Sequence, residues 1–139
     1  MFTQILVPVD FSERNTQAVQ VAVQMARSGH GRVLLLHIIK LIAGGSDEDF
    51  DDFYKKLETE AETKMAALIQ PVQNDEVEIS SHILVGNRVQ EIISFAAENQ
   101  VDLIVMSSHK IDLENPDEGW GTISHKVSIL AQCPILLVK

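Results

Sequence analysis

The fold class follows from residues 5–39, ILVPVDFSERNTQAVQVAVQMARSGHGRVLLLHII. The run 5–9 is apolar without alternation, which is typical of a parallel strand that is buried on both faces. Ser12 is predicted to cap a helix whose apolar residues recur at helical spacing until Gly29. The run 33–39 is strand-like again. The whole stretch is therefore a βαβ unit, whose right-handed crossover makes the two strands parallel.

The alternation of helices and strands continues to the end of the chain. A second helix with an apolar stripe is predicted to end near Pro71, the stripe comprising Phe50, Phe53, Tyr54, Leu57, Ala61, Met65 and Leu68. The later elements are a partly alternating strand suited to a sheet edge (77–85), a helix (88–99), a short strand (103–106), a helix capped by Thr122 with Ile123, Val127, Leu130 and Ala131, and a last strand (135–138). Five strands and four helices predict an α/β fold, a doubly wound parallel sheet with helices on both faces.

We expect one domain over residues 1–139, because the chain shows no internal repeat, low-complexity tract or flexible linker. The formal charge of -9 disfavours binding to nucleic acid or to an anionic membrane, and a phosphate ligand would need a locally positive pocket. The single cysteine, Cys133, cannot form an internal disulfide. With no signal peptide and no membrane-spanning run, the sequence predicts a soluble cytoplasmic protein.

Five carboxylates precede or begin the second helix, at Asp47, Glu48, Asp49, Asp51 and Asp52. At this end of a helix they are stabilised by the helix dipole, so we interpret them as a solvated helix start. A calcium or magnesium site is the alternative, but the spacing of an EF-hand loop is absent. The histidines show no metal-ligand spacing, and we predict no metal site in the protein itself.

A polar segment, 106–122, MSSHKIDLENPDEGWGT, follows the fourth strand. In a doubly wound sheet, ligands bind where neighbouring strands send their helices to opposite faces, and the first and fourth strands should adjoin that crevice. Asp10 follows the first strand and Ser107 follows the fourth. We therefore expect these two loops to converge on one site.

Several segments of this sequence together resemble the universal stress protein family: VPVDFSERN (7–15), LLHII (35–39), LVGNRVQEII (84–93), VDLIVMSSH (101–109) and GTISHKVSILAQCPILLVK (121–139). The resemblance covers nearly the whole chain. It implies a single Rossmann-like domain, of the adenine nucleotide alpha hydrolase-like kind, with a five-stranded parallel sheet. It also implies a homodimer formed through the last strand, whose apolar edge would pair with a symmetry mate.

The resemblance also implies a site for an adenine nucleotide, ATP or AMP, with magnesium. Asp10 would lie near the ribose and the backbone of Ile38 near adenine, with Pro8 and Val9 lining the base pocket. The phosphate loop would include Met106, Ser107, Ser108, His109, Lys110, Gly119, Gly121 and Thr122.

This phosphate loop departs from the family pattern of glycine, two residues, glycine, nine residues, then Gly-Ser or Gly-Thr. Ser107 and Lys110 replace the two glycines, and Gly121-Thr122 arrives after ten intervening residues. Using Gly119 instead leaves eight residues and puts Trp120 at the hydroxyl position. Ser107 could crowd a phosphate with its Cβ, but its hydroxyl and the Lys110 ammonium could replace contacts made by glycine backbone.

The implied function is that of a stress-response module without catalysis, acting on an unidentified protein partner. P-loop and nucleophile-elbow motifs are absent, although slow ATP hydrolysis involving His109 or Asp10 stays open. The alternative is a nucleotide-independent dimeric protein-interaction module of the same family, favoured by the altered loop. A flavodoxin-like electron carrier is disfavoured by the lack of a hydroxyl-rich loop after the first strand.

Overall fold

The computed structural model describes residues 2–41, 48–108, 114 and 122–139, without the side chains of Glu48 and Asp49. Strands and helices alternate along the chain in the order β1 (Gln4–Pro8), α1 (Asn15–Ser28), β2 (Arg32–Lys40), α2 (Glu48–Ile69), β3 (Glu78–Gly86), α3 (Arg88–Glu98), β4 (Leu103–Ser107), α4 (Ile123–Leu130) and β5 (Ile135–Val138). A short 3-10 turn, Gln70–Val72, follows α2.

The strands form one sheet in the order β3-β2-β1-β4-β5, and every neighbouring pair is parallel. β1 lies at the centre, between β2 and β4. Within the described part of the chain, this confirms the predicted α/β fold with a five-stranded parallel sheet and four helices. β3 lies at an edge of the sheet, as its partly alternating sequence predicts.

The helices cover the sheet in two layers. α1 and the second half of α2 pack on one face, where Val19, Ala22 and Met65 meet alternate strand residues such as Val7 and Leu35. The other face is covered by α3 and α4 and carries a second core cluster, whose buried members include Leu6, Leu36, Ile92, Ile104 and Val127.

The position of β1 between two layers of helices explains why apolar and polar residues do not alternate in its sequence. Ile5, Leu6 and Val7 are each 0% exposed, although successive side chains of a strand point to opposite faces. Both faces of β1 are therefore apolar, as a strand between two helical layers requires.

The start of α1 differs from the prediction. Ser12 does not cap the helix, which begins at Asn15 after Arg14 without a side-chain cap hydrogen bond. The Ser12 N–H instead donates to Oδ1 of Asp10 at 2.9 Å. The preceding residue, Phe11, has a φ of 65°, which turns the chain through a left-handed conformation before the helix starts.

Two predicted apolar stripes are only partly buried. On α2, Ala61 and Met65 are buried, whereas Phe53 is 43% exposed. On α4, Thr122 caps the helix as predicted, accepting a hydrogen bond from the His125 N–H at 3.3 Å, but Leu130 is 57% exposed. Of the other predicted residues of α4, Val127 is buried and Ile123 and Ala131 pack against the core, so the outlier is Leu130, and Ser124 is buried beside them.

Gly31, between α1 and β2, lies against the start of β1. A Cβ at this position would lie 2.8 Å from the carbonyl oxygen of Phe2 and 2.9 Å from Cα of Thr3. Both atoms belong to the backbone of the neighbouring segment, so they can move away only if that segment shifts.

Replacing Gly31 with alanine should therefore destabilise the protein by about 1–3 kcal/mol, the usual cost of overpacking. Urea unfolding of Gly31→Ala measures the change. Ser28→Ala, at the exposed end of α1, is the matched control and should stay within about 0.5 kcal/mol of the unaltered protein. Equal midpoints for the two variants would refute the expected overpacking.

Candidate functional site

The strand order places the carboxyl ends of β1 and β4 side by side. Ile5 pairs with Leu103 and Leu6 with Ile104, in parallel register. The helix after β1 covers one face of the sheet and the helix after β4 covers the other. A crevice opens at such a reversal of strand order.

A cavity of about 310 Å³ occupies this crevice. Seven residues predicted for the site line it together: Pro8, Val9, Asp10, Ile38, Met106, Ser107 and Thr122. They come from the ends of three strands and the start of α4. Asp10 and Ser107, which are 97 positions apart in sequence, thus share one cavity, as the topology predicts.

The other predicted site residues are not seen on this cavity. Ser108 is buried beside it, where its N–H donates to the carbonyl of Val138 at 2.8 Å and its Oγ accepts a hydrogen bond from Lys139 at 3.4 Å. His109, Lys110, Gly119 and Gly121 lie outside the described residues.

Sequence reasoning missed the polar groups that helix starts contribute to the cavity. Arg14 and Asn15 come from the start of α1, Arg88 from the start of α3, and Ser124 from α4. A parallel sheet with helices on both faces aims several helix N-termini at the same edge. Polar residues at the starts of the helices were the feature of the sequence that could have predicted these contributions to the cavity.

The two arginines give the cavity positive charge within an acidic protein. Arg14 lies near enough to Asp10 to favour its ionised form. Burial alone would raise the pKa of Asp10, but hydrogen bonds, first of all that from the Ser12 N–H, and to a smaller extent the charge of Arg14 hold it below its ordinary value. Asp10 is therefore a carboxylate at neutral pH, and the cavity presents two cations and one anion from these three side chains.

Asn15 connects the two sides of the cavity. Its side chain is 1% exposed, accepts a hydrogen bond from the Asp10 N–H at 2.9 Å, and donates one to Oγ of Ser107 at 3.1 Å. The turn after β1 and the end of β4 are thus joined through one buried carboxamide.

His37 forms a hydrogen bond and a ring contact with the turn after β1. Its Nδ1 lies 2.8 Å from the carbonyl oxygen of Val9, which can only accept, so Nδ1 bears the proton. Its ring also packs against Phe11, with 4.3 Å between ring centroids, and Nζ of Lys64 lies 5.7 Å from the centre of the Phe11 ring.

Comparison with known proteins identifies the family. The sequence profile of the universal stress protein family matches residues 1–139. The chain belongs to the universal stress protein family.

Individual members agree with this assignment. Universal stress protein MJ0577 of Methanocaldococcus jannaschii is 29% identical over 157 residues, covering 100% of this chain and 96% of that protein. A solved structure of MJ0577 superposes with a TM-score of 0.84 at 30% identity, again covering 100% and 96% of the two chains.

Two further solved structures share the fold and contain a nucleotide. The universal stress protein of Archaeoglobus fulgidus in complex with dAMP has a TM-score of 0.72 at 23% identity, covering 99% of this chain and 98% of that one. A universal stress protein in complex with cAMP has a TM-score of 0.68 at 19% identity, covering 99% and 97%. At these identities the comparison establishes the fold alone.

The described residues of this universal stress protein contain no group of three or more histidine, cysteine, aspartate or glutamate side chains arranged to hold a metal ion. No helix in the same part of the chain combines the length and apolar character needed to cross a membrane.

The histidines should make stability depend on pH. Burial lowers the pKa of both His37 and His82, and nearby cations, among them Arg88 and Arg32 respectively, act in the same direction. The unfolded chain therefore takes up protons near pH 6.5 more readily than the folded protein does. The stability that neutral histidine contributes is complete above about pH 6.5 and is lost as the pH falls toward the lowered values.

We expect the melting temperature to fall between pH 6.5 and pH 5 and the fall to shrink in His37→Asn, measured by differential scanning calorimetry. Asparagine can still donate to the Val9 carbonyl but does not titrate. Adding His82→Asn should reduce the fall further. An undiminished fall in the double variant would assign the pH dependence to other groups.

Proposed function

We propose that this universal stress protein binds an adenine nucleotide, ATP or AMP with magnesium, in the cavity between β1 and β4. The observation that carries the proposal is the convergence of the predicted residues on one positively charged cavity. The dAMP and cAMP complexes of proteins with the same fold support the choice of adenine nucleotides.

The cavity has apolar and polar ends that suit such a ligand. Pro8, Val9 and Ile38 offer an apolar surface for the base, and the Asp10 carboxylate can accept hydrogen bonds from ribose hydroxyls. Ser107 and Thr122 offer hydroxyl groups for the phosphates, and Thr122 caps the start of α4, where anions are stabilised. His109, Lys110, Gly119 and Gly121 stay predicted members of the phosphate loop.

The proposed role is a non-catalytic stress-response module. Among the described lining residues, Asp10 is the single carboxylate, and histidine and cysteine are absent from them. Nucleotide occupancy would then be the signal that the protein passes to an unidentified protein partner in the cytoplasm. Slow ATP hydrolysis is compatible with this role and is tested by following phosphate release.

Nucleotide binding is tested by calorimetry with AMP, ADP and ATP, each with and without magnesium, and by thermal unfolding. We expect saturable heat and a rise in melting temperature. Asp10→Ala removes a hydrogen-bond acceptor for ribose and should weaken binding roughly 10-fold, as expected for a hydrogen bond to a charged group. No heat and no stabilisation at millimolar nucleotide would refute the proposed function.

A matched control separates ribose recognition from a change in net charge. Asp75 is exposed in the turn before β3, at the opposite end of the sheet from the cavity. Asp75→Ala removes the same charge and should leave nucleotide affinity unchanged. Equal losses in the two variants would mean that Asp10 acts through net charge alone.

The proposed assembly is a homodimer that pairs β5 with its symmetry mate. β5 is an edge strand of partly buried residues. The carbonyls of Pro134 and Val138 accept hydrogen bonds from the N–H groups of Ile104 and Ser108. Because the backbone groups of successive strand residues point alternately toward and away from the neighbouring strand, the N–H of Leu137 points away from β4. That N–H is available to a partner strand.

Sedimentation equilibrium should therefore show a dimer at micromolar concentration. Leu137→Pro removes the outward N–H and should shift the protein toward monomer, whereas Leu137→Val keeps the N–H and should stay dimeric. Circular dichroism confirms that both variants are folded. A monomeric unaltered protein, or a dimeric proline variant, would contradict pairing through β5.

A nucleotide-independent interaction module is the second candidate function. Ile129 and Leu130 are 67% and 57% exposed at the end of α4, the helix that precedes β5. Apolar side chains exposed beside an edge strand favour contact with another protein. Freshly purified protein should contain no bound nucleotide by mass spectrometry under this alternative.

A further inference from the structure

The Asn15 side chain is the polar contact that ties the two strand ends of the cavity together. It is 1% exposed, and its two hydrogen-bond partners, Asp10 and Ser107, both line the cavity. The bond to Ser107 connects positions 92 residues apart in sequence. A buried carboxamide with partners on both sides holds those sides at a set separation.

The orientation of this carboxamide follows from its first partner. The backbone N–H of Asp10 can only donate, so the atom that faces it must be Oδ1 of Asn15. The NH2 group therefore faces Ser107, and Oγ of Ser107 must be the acceptor in that bond.

The hydroxyl of Ser107 is thereby left with a proton to donate. Among the described residues it has no second hydrogen-bond partner, and Ser107 lines the cavity. Arg14 lies on the same cavity, as does the Thr122 hydroxyl, which accepts the His125 N–H and lies 3.3 Å from the Ser124 hydroxyl. A proton donor beside a cation suits an anionic oxygen, because hydrogen bonds to ionised acceptors are about twice as strong as neutral ones.

We infer that Asn15 is a positioning residue of the ligand site and that it orients the Ser107 hydroxyl to donate a hydrogen bond to a phosphate oxygen. The inference rests on the proposed function and deepens it. The ligand class is a nucleoside that bears a phosphate, in preference to the free nucleoside. Asn15 itself need not touch the ligand.

The test compares the affinities of AMP and adenosine in the unaltered protein, in Ser107→Ala, in Asn15→Leu and in the double variant. Ser107→Ala should weaken AMP binding roughly 10-fold, as loss of a hydrogen bond to a charged group does, and should change adenosine binding by less than about twofold. Asn15→Leu should lower the same affinity ratio. When Asn15→Leu is already present, Ser107→Ala should change the AMP-to-adenosine affinity ratio little more, because the Ser107 hydroxyl is no longer oriented.

Ser28→Ala is the matched control, since it removes a serine hydroxyl from the far end of α1, where Ser28 donates to the Met25 carbonyl. It should leave both affinities unchanged. A purely structural role for Asn15 would lower the melting temperature and weaken AMP and adenosine equally. An unchanged AMP-to-adenosine ratio in Ser107→Ala, with nucleotide binding intact, overturns the inference but not the proposed function.

Asn15→Leu removes the acceptor of the Asp10 N–H and a buried polar contact between β4 and the turn after β1, and this variant could fail to fold. The hydrogen bond is then tested in Ser107→Ala alone, where the side-chain NH2 resonances of Asn15 should shift relative to those of the unaltered protein. Identical resonances in the two proteins would overturn the inference.

If the unaltered protein binds neither AMP nor adenosine, the proposed function fails and inorganic phosphate becomes the probe. A saturable shift of the Asn15 NH2 resonances on adding phosphate, absent in Ser107→Ala, would support the inference without a nucleotide. No saturable shift would overturn it as well.

Discussion

The central position of β1 in the sheet governs both the packing of the helices and the location of the site. Ile5, Leu6 and Val7 are completely buried because helices cover both faces of this strand. Its neighbours are β2 on one side and β4 on the other, so the chain adds strands first on one side of β1 and then on the other, and the strand order reverses at β1. That reversal opens the crevice at the carboxyl end of β1, and the site exists because the core is built around this strand.

The described charges that line the cavity sum to a positive value, whereas the whole protein is negatively charged. The chain has a formal charge of -9, whereas the cavity is lined by Arg14 and Arg88 together with the carboxylate of Asp10. Long-range electrostatic attraction therefore does not draw anions to this protein, and an anion can be attracted only at short range, by the charges that line the cavity. Two cations at helix starts, in a cavity with an apolar side, suit a ligand that joins a planar base to a phosphate.

The turn after β1 shows how closely the site and the fold are coupled. His37 on β2 bonds the Val9 carbonyl, Asn15 on α1 bonds the Asp10 N–H, and Phe11 between them takes a left-handed backbone conformation. Such a conformation costs free energy for a bulky residue and persists because the contacts on either side hold it. The carboxylate of Asp10 is thus presented to the cavity by a turn whose shape several elements determine.

Local signals in the sequence, namely apolar runs, helical periodicity and motifs, predicted the α/β class, the order of the elements, the parallel sheet and the family. The sequence also predicted that Asp10 and Ser107 converge, since the topology of a doubly wound sheet follows from that order. Contacts in the folded protein were needed to show that Ser12 does not cap α1, that Leu130 is exposed, and that Asn15 and the two arginines reach the cavity. Those outcomes depend on which side chains meet across elements far apart in sequence, and a pattern within one segment contains no information on its partners in space.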